Sequence, residues 1–135
     1  MIWITFVAGQ REKCLKRLEQ LFKNLDSGMT RERYFEMQEQ MGLEPIEDDV
    51  PPDWEDFPEL VGVAVECFNR LGDRVFPEIG YIGKDYTSLP IFLQLSVEES
   101  EKDFFLQILE WLDNRAIKKA SEELKRQYDK MKRKK

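Results

Sequence analysis

Apolar side chains recur at three- and four-residue steps in segment after segment of this chain, a period that a helix can bury on one face and a strand cannot. Between Gln10 and Leu25 the residues Leu15, Leu18, Leu21, Phe22 and Leu25 follow it, with charged residues filling the gaps. The spacing predicts an amphipathic helix that Asp26-Ser27-Gly28 ends. Thr30 is placed to cap a second helix with Tyr34, Met37, Gln38 and Met41 along one face, and Gly42 supplies the left-handed residue that stops it. A third helix, roughly 57–71, presents Leu60, Val61, Ala64, Phe68 and Leu71 to a core and closes at Gly72-Asp73. Its start reads as a capping Asp56, an early Pro58 and a first-turn Glu59. Ser88 with Pro90 at the second position opens a short helix through about Leu95, and a turn near Ser96–Ser100 leads into the longest helix. Between Asp73 and Ser88 the glycines at 80 and 83, Pro77 and the rings of Phe76, Tyr81 and Tyr86 predict an ordered loop, with room for a short extended piece.

The last helix has two unlike halves. Its first half turns Phe104, Phe105, Ile108, Leu109, Trp111 and Leu112 inward, whereas its second half keeps a thin stripe of Ile117, Ala120, Leu124, Tyr128 and Met131 at nearly heptad spacing. So narrow a seam beside Lys/Arg-rich flanks fits an arm that packs on another body, and equally a frayed, solvated helix end. These elements predict a mainly α fold: a small single-domain helical bundle of about five helices with a long basic C-terminal helix. The opening MIWITFVAGQ adds one short N-terminal strand or packed arm. A chain of 135 residues suits one core. The expected parts are an N-terminal extension with its helix over 1–28, a helical core over 29–114 and a basic helical arm over 115–135.

Charge sharpens the distinction between body and arm. Arg115–Lys135 holds ten Lys/Arg against three Asp/Glu, or +7, so the formal charge of −6 leaves −13 for Met1–Asn114. Such a split steers association with an acidic partner, nucleic acid or the body of a neighbouring copy without fixing which. The opening lacks a basic start and a small-residue cleavage pattern, so it does not read as a signal peptide. No apolar run approaches the ~18 residues of a membrane span, and a cytosolic protein is expected. Cys14 and Cys67 lie far apart among apolar helical residues and read as buried reduced thiols.

The chain has no histidine, which removes the commonest general base, the commonest metal ligand and every Ser-His or Cys-His nucleophile. Acids are abundant instead. The stretch Glu44–Glu59, EPIEDDVPPDWEDFPE, holds eight carboxylates and four prolines in sixteen residues with no base. Carboxylate catalysis needs groups converging from rigid elements, and these share one proline-stiffened loop. A calcium loop needs a central glycine, and none lies between Gly42 and Gly62. Gly80, Gly83 and Lys84 lack the four-residue spacing and following Ser/Thr of a phosphate loop, so they read as turn geometry and a surface charge. No cofactor or metal is expected, and the chain does not read as an enzyme. Two binding readings of the acidic stretch stand. In one, Glu47, Asp48, Asp49, Asp53 and Glu55 imitate the phosphates of nucleic acid. In the other, the stretch is a solvated connector anchored by Ile46, Val50, Trp54 and Phe57.

The order RERYFEMQEQMGLEPIEDDVPPDWEDFPELV and then GYIGKDYTSLP, roughly Thr30 to Ser100, resembles a group of short acidic proteins of tailed bacteriophages. In that group a YFEM-type helix, an EPIE-type acidic proline stretch, a DFP helix start and a Y-x-G-K-D loop follow one another. Met1–Gly28 falls outside the resemblance, and Met29 reads as an alternative start that would make the first helix an extension. The resemblance implies a viral, non-enzymatic protein in the cytoplasm of the infected bacterium or on the virion, such as a tail-assembly chaperone. Its implied partner is a protein: a virion or tail component, or a host protein. A homo-oligomer through the C-terminal helix is a further expectation, with Ile117, Leu124, Tyr128 and Met131 as contacts beside the acidic residues and Trp54. Direct nucleic-acid binding is not expected apart from the basic tail, and no membrane association is expected. The alternative of another class is an acidic inhibitor of a host nucleic-acid enzyme or polymerase.

Overall fold

A computed structural model describes residues 8–134. The expected N-terminal strand lies in MIWITFV, outside the described residues. The described chain is mainly helical, with α1 (Ala8–Ser27), α2 (Arg31–Gln40), α3 (Glu59–Arg70), α4 (Leu89–Ser96) and α5 (Lys102–Arg133). It also holds one two-stranded sheet, β1 (Asp73–Phe76) and β2 (Gly80–Lys84). The chain divides into two compact units that meet in sequence at Pro58 and Glu59. The sequence by itself leads to one bundle with an N-terminal extension over 1–28 and a basic arm over 115–135.

In the first unit, α1 buries Cys14, Leu18 and Leu21, while the expected core residue Leu25 stays exposed at the helix end. Both α1 and α2 stop in the same way. The N–H of Met29 reaches Asn24 O (2.9 Å) and that of Gly28 reaches Leu25 O (3.3 Å). At the end of α2, Leu43 N–H reaches Gln38 O (2.9 Å) and Gly42 N–H reaches Glu39 O (3.1 Å). These paired bonds close a left-handed turn at Gly28 (φ 76°) and Gly42 (φ 67°), where glycine carries no Cβ penalty. Thr30 caps α2 as its position predicts, accepting from Arg33 N–H (3.2 Å). The acidic stretch is not featureless: short 3-10 turns form at Glu47–Asp49 and Trp54–Asp56.

Asp56, the predicted cap of α3, belongs instead to a 3-10 turn that precedes the helix. Asp53 accepts from Trp54 N–H (2.7 Å) while its own N–H donates to Asp56 Oδ2 (3.1 Å), so the reciprocal box closes the 3-10 turn. α3 itself starts at Glu59, after Pro58. In the second unit α3 packs on α5, burying Leu60, Val61, Ala64 and Cys67 against a core that includes Phe104, Phe105, Ile108, Leu109 and Leu112. Phe68 and Trp111, both expected inside, are half-buried.

The segment expected as a loop over 73–88 is an antiparallel hairpin. Asp73 pairs with Lys84 and Phe76 with Gly80, with a register shift between Arg74 and Val75. Every residue of β1 is exposed, so it lacks the alternation that announces a strand, and the glycines of β2 read as turn residues. What holds the hairpin is the packing of β2 on α5. α4 and α5 start close to their predicted positions, α5 behind a 3-10 turn at Glu99–Glu101. α5 runs through residue 115 as one helix that holds both the core-facing half and the basic arm.

Candidate partner-binding surfaces

Arg31, at the first position of α2, organises the acidic stretch. Its Nε donates to Pro51 O (3.0 Å), its Nη1 to Glu55 Oε1 (2.8 Å) and its Nη2 to Asp56. Arg17 adds a second guanidinium 3.6 Å from Asp56. Burial by itself raises the Asp56 pKa, but the Asp53 N–H and the two arginines outweigh it and hold the carboxyl below its usual range. Asp53, Glu55 and Asp56 therefore act within the unit.

Four apolar residues were expected to anchor this stretch, and the structure divides them. Val50 and Phe57 are half-buried, whereas Ile46 and Trp54 are exposed, Trp54 by 40%. The Trp54 ring still meets Phe22 edge-on at 5.9 Å and Phe57 at 6.5 Å. The connector is held by the Arg31 hydrogen bonds and buried Pro51 as well as by half-buried Val50 and Phe57. Glu47, Asp48 and Asp49 are exposed, and their carboxylates make no hydrogen bond or ion pair among the described residues. Asp48 and Asp49 border a cavity of about 440 Å³ with Tyr34, Val50, Pro51 and Pro52.

The other predicted surface lies on α5. Its buried side chains end at Asp113, yet the helix runs on to Arg133. Ile117, Ala120 and Leu124 are half-buried, and the stripe ends with Tyr128 49% and Met131 64% exposed. Lys130, Lys132 and Arg133 fill the last turn, where cations favour the negative end of the helix dipole. α4, LPIFLQLS, is also unusual: it is strongly apolar and buries none of its residues, leaving Ile91 and Leu95 exposed.

A third feature was not read from the sequence: Asp113, the one buried carboxylate among the described residues of the second unit. Asp113 accepts from Tyr81 Oη (2.6 Å), from Tyr86 Oη and from Lys84 N–H (3.2 Å). Burial pushes its pKa up, but the two phenols, the Lys84 N–H and the nearby charge of Arg74 prevail and hold it low. Burial, together with the carboxylate they face, drives both phenols well above their ordinary range. Gly83 (φ 132°) lets the strand approach, because a Cβ there would stand 3.1 Å from Arg74 Nη2 and 3.3 Å from Asp113 Oδ2. Lys84 is no surface charge: it is buried, with Nζ 2.6 Å from Asp73 Oδ1, 3.2 Å from Leu71 O and 4.5 Å over the Phe68 ring. The signal available in the sequence is an acid at 113, four residues after Leu109 and four before Ile117, on the inward side of α5.

Cys14 and Cys67 are free, buried thiols whose pKa burial raises despite Arg17 and Arg70 nearby. Among the described residues no group of three or more His, Cys, Asp or Glu side chains is placed to hold a metal ion. No helix among them is long and apolar enough to cross a membrane. No protein-family model, no curated protein and no solved structure matches this chain.

Proposed function

We propose that this protein is a non-enzymatic interaction module that binds another protein through the distal half of α5. The observation that carries the reading is the change along that one helix: a buried face up to Leu112 and Asp113, then an apolar stripe that is half-buried at Ile117, Ala120 and Leu124 and exposed at its end, Tyr128 and Met131. Exposed apolar side chains in a row with a charged rim are the usual composition of a docking helix. The fitting partner is an apolar groove or helix with acidic edges, since the arm is strongly basic. The resemblance of residues 30–100 to acidic proteins of tailed phages suggests virion or tail assembly as the setting. The place of action would then be the infected bacterial cytoplasm or the virion.

The phosphate-mimic reading retains Glu47, Asp48 and Asp49, which are solvated and unpaired. It loses Asp53 and Glu55, which serve a cap and an ion pair. Deleting Lys118–Lys135 from a tagged protein tests the main reading. The expected result is loss of partner capture from expressing or infected cells with an unchanged far-UV spectrum per residue for the remainder. Capture that survives the deletion, or that depends instead on Glu47, Asp48 and Asp49, would reject the assignment to α5.

A further inference from the structure

We propose that the distal half of α5 in one copy docks on the α2 face of a second copy, an inference that rests on reading this half of α5 as the binding helix. α2 buries none of its residues. Met37 and Met41 stand one turn apart on it, and the chain beyond is folded back to the same helix. Leu43 is tied by its N–H to Gln38 O, and Ile46 exchanges hydrogen bonds with Tyr34, its N–H donating to Tyr34 Oη at 3.1 Å. The result is an apolar face with Met41 57%, Leu43 56% and Ile46 57% exposed.

Carboxylates follow this face along the chain. Glu44, Glu47, Asp48 and Asp49 are all exposed beside it in sequence, and none makes an ion pair among the described residues. The arm has the complementary composition: Leu124, Tyr128 and Met131 as anchors at helix-in-groove spacing, with Lys125, Arg126, Lys130, Lys132 and Arg133 around them. Apolar centres match, and rims carry opposite charge. Charge also decides against the arm of the second copy as the occupant, because it would set +7 against +7. An acidic face on that copy removes the repulsion and replaces it with attraction.

Sedimentation velocity of the purified full chain tests this. Association is expected to grow with concentration, and to weaken roughly tenfold as salt rises from about 0.01 to 0.15 M and the screening length falls from about 30 to 8 Å. Two charge-reversed variants sharpen it: Glu47→Lys/Asp48→Lys/Asp49→Lys, and Lys130→Glu/Lys132→Glu/Arg133→Glu. Each alone is expected to associate at least roughly tenfold more weakly, and an equimolar mixture to recover, since the unaltered basic arm of the first then meets the unaltered acidic face of the second. A chain that stays monomeric at every concentration overturns the proposal, as does a mixture that fails to recover. If the monomeric chain still captures a different protein through its arm, the second-copy inference falls while the reading of α5 stands. If deletion of Lys118–Lys135 changes neither association nor capture, both fall.

Discussion

The acidic stretch of the first unit and Asp113 of the second put the same functional group to opposite uses. Eight carboxylates crowd Glu44–Glu59, and most face water or a guanidinium at the surface. A single carboxylate at 113 is 6% exposed and accepts from two phenols and one backbone N–H that belong to the hairpin and the segment after it. A solvated charge contributes little to stability, whereas a buried one is costly unless several donors surround it, and its removal strands those donors. Abundance in the sequence is thus a poor guide to energetic weight, and the isolated Asp is the residue on which the hairpin depends.

The largest expected effect follows from that dependence. Asp113→Ala leaves the Tyr81 and Tyr86 hydroxyls and the Lys84 N–H without their acceptor; both rings are partly exposed, so the three groups count toward the low end of about 1–3 kcal/mol each and the loss is about 3–5 kcal/mol. Urea unfolding measures it, and a change under about 1 kcal/mol would erase the contrast between the two regions. The pH dependence comes next. The Asp113 carboxyl is held low in the folded state, so its contribution is fully present above the unfolded value of about 3.9 and is lost as pH falls below it. The phenols are held high, so their contribution is complete below about pH 10 and is lost as pH rises further. Asp113→Asn should therefore flatten the acid limb of the stability profile and only lessen the alkaline one, which burial of the phenols sustains, and a steep acid limb in the variant would place that titration elsewhere.

Smaller effects are expected in the first unit. Arg31→Met removes the donors to Pro51 O, Glu55 and Asp56 from a side chain that is only partly exposed, and should cost about 1–2 kcal/mol. Limited proteolysis should then cut faster within residues 44–57. The smallest change belongs to Glu47→Gln/Asp48→Asn/Asp49→Asn, which should alter the unfolding free energy by no more than about 0.5 kcal/mol. A larger loss would mean that these acids carry a structural role and would narrow the difference from Asp113.

Much of the local structure was legible because its causes are local. The Thr30 cap, the glycine stops at 28 and 42, the early Pro90 of α4 and the two halves of α5 follow from residues within a turn of one another. The candidate binding residues were legible as composition: Ile117, Leu124, Tyr128 and Met131 by spacing, Glu47, Asp48 and Asp49 by charge. Their neighbours Asp53 and Glu55 looked equivalent and are not, because one caps Trp54 and the other meets an arginine twenty-four positions away. No local pattern in the acidic stretch announces Arg31 as its partner.

By itself the sequence determined a mainly helical chain, its helix stops, the polarity of its charge and the absence of histidine chemistry, all of which depend on residue type and short-range spacing. Tertiary structure decided the rest. It made a hairpin of a glycine-containing segment because α5 offered β2 a surface and Asp113 offered its tyrosines an acceptor. It turned Lys84 from an apparent surface charge into a buried one, since Asp73, Leu71 O and the Phe68 ring converge on its ammonium from distant positions. Burial and partnership are properties of which segments meet, and a helical period specifies a face without specifying what that face will meet.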